Sequence, residues 1–232
     1  MAKAIFITGT DTGVGKTLVT GLLGRMLSEK GINVITQKWV QTGCDGFSCD
    51  IAEHLRSMKV ERAEVEQHVQ DMVPYSFEHP SSPHLAAALE KKKICPEKIE
   101  NSFYRLSDKF DFVLVEGAGG LMVPVSDEDM LVDIVEKLGL PILVVAENRL
   151  GAINQTVLTV EAAQSRGLKV MGIIFNRVND QEDDIILKDN LRIVEGLTGI
   201  NVLGELPYRP RTEELYRTFV PIGERLLENM ET

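Results

Sequence analysis

The segment Gly9-Thr-Asp-Thr-Gly-Val-Gly-Lys-Thr17 stands between an apolar run, AIFIT, and a helical pattern, LVTGLLGRML. A loop entered from a strand and left into a helix aims several backbone N–H groups and the positive helix end at one point, an arrangement suited to phosphate oxygens. Lys16 is then placed to neutralise β and γ oxygens, and Thr17 to hold Mg2+. The usual phosphate loop has four residues between its first glycine and Gly-Lys-Ser/Thr. Here five separate Gly9 from Gly15. A glycine-rich turn with an incidental lysine does not account for the placement between strand and helix.

Four further residues could join this chemistry. In FVLVEGAGG an apolar strand delivers Glu116 to its carboxyl end, where a hard cation bridging phosphates needs an oxygen ligand. The glycines after it allow close backbone approach. Lys38 ends a second strand; it reads either as a surface lysine or as an extra cation for a negatively charged substrate. Asp50, at the start of the helical stretch DIAEHLRS, serves equally as an N-cap or as a Mg2+ ligand. Asn176 closes another strand and has an amide suited to a purine edge, with a plain strand-terminal turn as the alternative. The stretch NRVN has Asn179 where a guanine-reading motif needs a carboxylate, which favours adenine.

The elements that must position these groups alternate along the chain. Near-continuous apolar runs (AIFIT, NVITQ, FVLVE, PILVVA, LKVMGIIFN, NVLGELP) are separated by amphipathic patterns over residues 18–30, 131–138, 153–166, 185–197 and 213–230. This rhythm predicts an α/β fold: a doubly wound, mainly parallel sheet of about seven strands with helices on both faces. Gly31, Gly139 and Gly167 fall where helix C-caps are expected. Residues 43–83 are more polar and less regular and are expected to shape the site. Ligands of such sheets lie outside the carboxyl ends of the strands, where the phosphate loop, Lys38, Glu116 and Asn176 fall.

Composition narrows the partners. The 232 residues are expected to form one domain, with 35 acidic against 25 basic residues and a net charge of −10, which argues against sequence-independent nucleic-acid binding. No apolar run approaches the length of a bilayer span, and the chain enters a strand directly after MAK, so a soluble cytoplasmic protein is expected. Cys44, Cys49 and Cys95 cannot all pair within one chain, which fits a reducing compartment. Cys44 and Cys49 near His54 invite a metal reading, but no second pair stands at zinc-site spacing.

Taken together, GTDTGVGKT, QKWVQTG, PYSFEHPSSPH, VEGAGG, RLGAINQ, FNRV and GELPY resemble, in order and approximate spacing, the dethiobiotin synthetases over essentially the whole chain. The resemblance implies closure of a ureido ring from 7,8-diaminononanoate, CO2 and MgATP. One amine captures CO2 as a carbamate, ATP phosphorylates it, and the other amine expels phosphate from the mixed anhydride. It implies that Lys38, Lys16 and Thr12 serve catalysis, with Thr12, Lys38 and Thr42 on the diamine or carbamate. Nucleotide contacts would come from Gly13, Val14, Gly15, Lys16, Thr17, Asp50, Glu116, Gly117, Ala118, Gly119, Asn176, Pro207, Tyr208, Arg209 and Glu214. Thr17, Asp50 and Glu116 would organise Mg2+. Gly151, Ala152, Ile153 and Asn154 would receive the distant carboxylate of the diamine across a homodimer interface. Trp39 departs from the pattern, since proline commonly follows this lysine, and Gly13 stands where some members carry glutamate.

Two other classes share parts of these motifs. Partition or scaffold ATPases of the related deviant phosphate-loop group carry an early lysine in the loop; Asp11 occupies that position here. An amidoligase acting through acyl phosphates would need an ammonia source, and no glutaminase-like cysteine and histidine constellation is evident.

Overall fold

Strands with apolar residues on both sides need cover on both sides. In β1 (Lys3–Gly9) Ile5 and Ile7 enter one apolar layer and Phe6 the other, all fully buried. The computed structural model describes residues 3–209 and 213–231. After β1 come α1 (Lys16–Glu29), β2 (Val34–Lys38), β3 (Val40–Thr42), α2 (Cys49–Met58), α3 (Arg62–Val65), a 3-10 turn (Glu66–His68), α4 (Val69–Met72) and β4 (Tyr75–Phe77). Then follow α5 (Pro83–Leu89), α6 (Pro96–Ser107), β5 (Phe112–Gly120), α7 (Leu131–Leu138), β6 (Ile142–Glu147), α8 (Ala152–Ser165), β7 (Val170–Asn176), α9 (Asp184–Thr198), β8 (Val202–Leu206) and α10 (Glu213–Glu231).

The main sheet has the order β2-β5-β1-β6-β7-β8, with every neighbouring pair parallel. Apolar side chains of α1 and α10 enter the layer on one face, and those of α6, α7 and α8 the layer on the other. Among the described residues the sheet holds six strands rather than about seven. The chain leaves it at Trp39, and the next three residues pair with β4 in a separate two-stranded sheet. Much of the stretch 43–83, expected to be irregular, is folded into α2, α3 and α4. The helix ends follow their glycine signals, with Gly31, Gly139 and Gly167 at positive φ just past α1, α7 and α8.

Two features of this frame position the site. The parallel register sets Lys38 of β2 opposite Glu116 of β5, so the ends of adjacent strands bring opposite charges together. Trp39, which replaces the proline of the resemblance, is fully buried with its ring 4.8 Å from that of Phe6. Its Nε1–H donates to Gln37 Oε1 at 3.0 Å. The residue next to Lys38 is therefore anchored by packing rather than by a fixed proline φ.

No helix among the described residues is long and apolar enough to cross a membrane. Cys44 and Cys49 are joined by a disulfide, a pairing that goes against the reducing compartment read from the odd cysteine count; Cys95 is free and exposed. Four residues lie between the bonded pair, and the link ties the loop after β3 to the first residue of α2.

Truncating Trp39 should open a cavity and leave Gln37 Oε1 without its donor. Trp39→Ala is expected to lose about 3–5 kcal/mol of stability, measured by urea unfolding; a loss below about 1 kcal/mol would show that Trp39 does not anchor the end of β2.

Candidate active site

The ends of β1, β2 and β5 open onto a cleft of about 720 Å3. The phosphate loop forms one wall. Gly15, the residue before α1, has φ 106°, and a Cβ there would lie 2.4 Å from Asn176 Nδ2, so conformation and space both require glycine. Lys16 is buried, and its ammonium folds back onto the carbonyl of Asp11 at 2.8 Å. Burial first, and then the charge of Lys38, lower its pKa to about 8. An anion arriving between the two ammonium groups reverses the second of these effects.

The opposite wall is an ionic cluster around Glu116. Its Oε1 accepts from Thr17 Oγ1 at 3.0 Å and from Lys38 Nζ at 2.7 Å. Lys38 Nζ also donates to the Gly117 carbonyl at 2.9 Å and pairs with Asp50 Oδ2 at 2.7 Å. All three ammonium protons are thus engaged, and an incoming anion must compete with carboxylates for them. Burial works against the charge of both central groups. For Lys38 the neighbouring Glu116 and Asp50 more than offset it, raising its pKa; for Glu116, Lys38 and His54 hold the carboxyl well below the usual range.

Local sequence explains how Asp50 arrives. Ser48, not Asp50, caps α2: its Oγ accepts from the Ile51 N–H at 3.2 Å. Asp50 sits in the first turn, where a carboxylate complements the helix dipole. Gln41 of β3 fastens this end, its Oε1 accepting from Ser48 Oγ at 2.5 Å and from the Asp50 N–H at 3.2 Å. Of the two roles open to Asp50, the cap is therefore taken by its neighbour.

The donor set can be weighed against Mg2+. Thr17 Oγ1, Glu116 Oε1 and Asp50 Oδ2 are hard oxygen donors gathered about one point through Thr17 and Lys38. Among the described residues no group of three His, Cys, Asp or Glu side chains forms a metal cage. A cation that draws its remaining ligands from phosphate and water fits that pattern; zinc does not, because Cys44 and Cys49 bond to each other.

Other expected residues fall into two groups. Thr12, Gly13, Gly15, Thr42, Ala118 and Gly119 line the cleft with Lys16, Thr17, Lys38, Asp50 and Glu116. Val14 is buried behind the loop, and a Cβ on Gly117 would lie 2.7 Å from the Phe6 ring. Asn176 is buried, its Nδ2 donating to the Val14 carbonyl at 2.9 Å, so one of its two N–H groups braces the loop and Oδ1 and the second N–H are left for a ligand. Pro207, Tyr208 and Arg209 follow β8 beside Asn176, and Arg209 pairs with Glu214; none of them lines the cleft. Gly151, Ala152, Ile153 and Asn154 form the start of α8 and also lie outside the cleft of this chain.

Four contributors were not singled out from sequence as part of this site. Ser81 and Ser82, before α5, line the cleft, and a Ser-Ser-Pro helix start was the signal for them. Gln41 had no local signal. His54 is fully buried with Nε2 2.6 Å from Glu116 Oε2; its spacing of four from Asp50 on one helix was the available clue.

A family model described as AAA domain matches residues 3–215. The chain is 42% identical over 190 residues to the ATP-dependent dethiobiotin synthetase BioD 2 of Haemophilus influenzae, covering 82% of this chain and 99% of that protein. It is 40% identical over 210 residues to the ATP-dependent dethiobiotin synthetase BioD of Clostridium perfringens, covering 89% and 91%. Among solved structures it is similar to a plasmid partition protein from Borrelia burgdorferi, with TM-score 0.63, 14% identity and coverage of 99% and 100%. It is also similar to the septum site-determining protein MinD complexed with Mg-ADP from Pyrococcus horikoshii, with TM-score 0.59, 17% identity and coverage of 100% and 95%. At such identities these structures share the fold alone. The chain belongs to the AAA domain family and, by its sequence relatives, to the ATP-dependent dethiobiotin synthetases.

Proposed function

We propose that this chain, acting as one synthetase domain, converts 7,8-diaminononanoate, CO2 and ATP to dethiobiotin, ADP and phosphate, the ring-closing step of biotin biosynthesis. The observation that carries the reading is the pairing of two buried lysines, Lys16 and Lys38, across one cleft from the end of a phosphate loop to a carboxylate cluster. Two anions, a carbamate and the γ-phosphate, must come within bonding distance, and cations fixed in advance lower the cost of that approach. Lys16 serves the phosphate side. Lys38 serves the carbamate side, with the hydroxyls of Thr12 and Thr42 orienting the diamine. The second amine then attacks the mixed anhydride and phosphate leaves, with no covalent bond to the protein.

Thr17, Asp50 and Glu116 would hold Mg2+, which when bound neutralises charge on the phosphate oxygens. The backbone N–H groups of residues 13–17 cradle the phosphates, and Glu116, Ala118 and Gly119 line the floor. Adenine rests near Asn176, whose Oδ1 accepts from the exocyclic amine, with Pro207, Tyr208, Arg209 and Glu214 beside it. We place the reaction in the cytoplasm, where ATP is available.

The same reading includes a homodimer in which Gly151, Ala152, Ile153 and Asn154 of one subunit receive the substrate carboxylate of the other at the N-terminal end of α8. Two exposed apolar side chains beside that segment support it: Leu150 is 69% and Leu158 is 55% exposed.

Purified protein given MgATP, labelled bicarbonate and 7,8-diaminononanoate should form a labelled cyclic urea. ATP turnover that ignores the diamine and yields no ring product would sink the assignment. Lys38→Gln is expected to lower turnover by about 100-fold or more while ATP affinity stays within about threefold by calorimetry; unchanged turnover would remove Lys38 from the reaction. Leu158→Asp should shift the protein toward monomer in light scattering and raise the KM for the diamine. A monomeric wild type with full activity would exclude the shared site.

A further inference from the structure

His54 is the one titratable side chain in the ionic cluster that the reaction above does not use. It lies four residues after Asp50 on α2, and residues so spaced share a helix face. One helix therefore turns both the Asp50 carboxylate and the His54 ring toward the same centre. The ring is fully buried, and Nε2 is 2.6 Å from Glu116 Oε2. An ionised carboxylate only accepts hydrogen bonds, so Nε2 carries the proton and donates. Nδ1 has no hydrogen-bond partner among the described residues, so the contact with Glu116 is the one polar contact that orients this ring.

The two oxygens of Glu116 thus have separate partners. Oε1 meets Thr17 Oγ1 at 3.0 Å and Lys38 Nζ at 2.7 Å, while Oε2 is tied back to α2. The terminal torsion of a glutamate is soft. Without a donor on Oε2 the carboxylate is free to twist, and that oxygen is left in a buried place with nothing to satisfy it. We infer that His54 is a positioning residue that locks the carboxylate plane of Glu116, so that Oε1 is the oxygen presented to the cation beside Thr17 and Asp50. The inference rests on the reading above that Glu116 holds Mg2+. Gln41 strengthens the device: by fastening Ser48 and the Asp50 N–H it fixes the start of α2, so His54 and Asp50 are placed as a unit.

The test is the affinity of the enzyme for Mn2+ in the presence of a non-hydrolysable ATP analogue, read by electron paramagnetic resonance, with no diamine and no turnover. His54→Leu should weaken Mn2+ binding about tenfold or more, while His54→Gln, whose amide nitrogen can replace Nε2, should stay within about threefold. Binding of the analogue in EDTA should be equal in all three proteins, which a general loss of structure would not leave intact. Wild-type Mn2+ affinity in folded His54→Leu overturns the proposal. If His54→Leu does not fold by circular dichroism, His54→Asn decides: its shorter amide does not reach Glu116, so weakened Mn2+ binding supports the proposal and unchanged binding overturns it. Glu116→Gln separates the two readings. If it too keeps wild-type Mn2+ affinity, the metal role of Glu116 falls and the role of His54 with it; if it loses affinity while His54→Leu does not, only the role of His54 falls.

Discussion

The structure of the site depends on one buried charge pair, the Glu116 carboxylate against the Lys38 ammonium at 2.7 Å. Taking either ion out of water alone costs several kcal/mol. Here each is satisfied almost completely: Lys38 by two carboxylates and a carbonyl, Glu116 by a lysine, a threonine hydroxyl and a histidine. The pair exists because parallel register sets the ends of β2 and β5 side by side. Elements outside the sheet then complete it: α2 brings Asp50 and His54, and α1 brings Thr17.

That arrangement divides the work between the two lysines. Among the described residues Lys16 bonds through its ammonium to a backbone carbonyl of its own loop alone, and burial keeps its pKa low, so a phosphate is a better partner than the one it has. Lys38 is held by ions and its pKa is raised, so it stays charged but committed. A cluster of fixed charges reorganises little when reacting groups arrive, which is the condition for electrostatic stabilisation of a transition state. The same fold in the partition and MinD proteins has no bearing on this chemistry, because the fold alone does not carry a function.

Much of this was legible in the chain. The glycine, lysine and threonine of the phosphate loop act through the adjacent backbone, so their spacing already defines their geometry. Glu116 and Lys38 were found because each ends an apolar run, and strand ends of a parallel sheet converge. Asp50 was ambiguous because a carboxylate at a helix start can cap or can face outward; the presence of Ser48 two residues earlier decided it. Asn176 was found as a site residue, yet its nitrogen serves the loop itself, a contact across 162 positions that no local pattern encodes. The disulfide between Cys44 and Cys49 was not read for a similar reason: an odd count of cysteines says nothing about which two lie together.

Local periodicity and glycine placement thus determined the alternation of strands and helices, the helix ends and the phosphate cradle, since each depends on residues within a turn or two of one another. The tertiary structure alone decided the departure of the chain from the sheet at Trp39 and the placing of Ser81 and Ser82 in the lining of the cleft. It also decided the meeting of His54 with Glu116. These are contacts between segments far apart in the chain, and their energies come from burying charge and apolar surface together, quantities that have no value until the chain has folded.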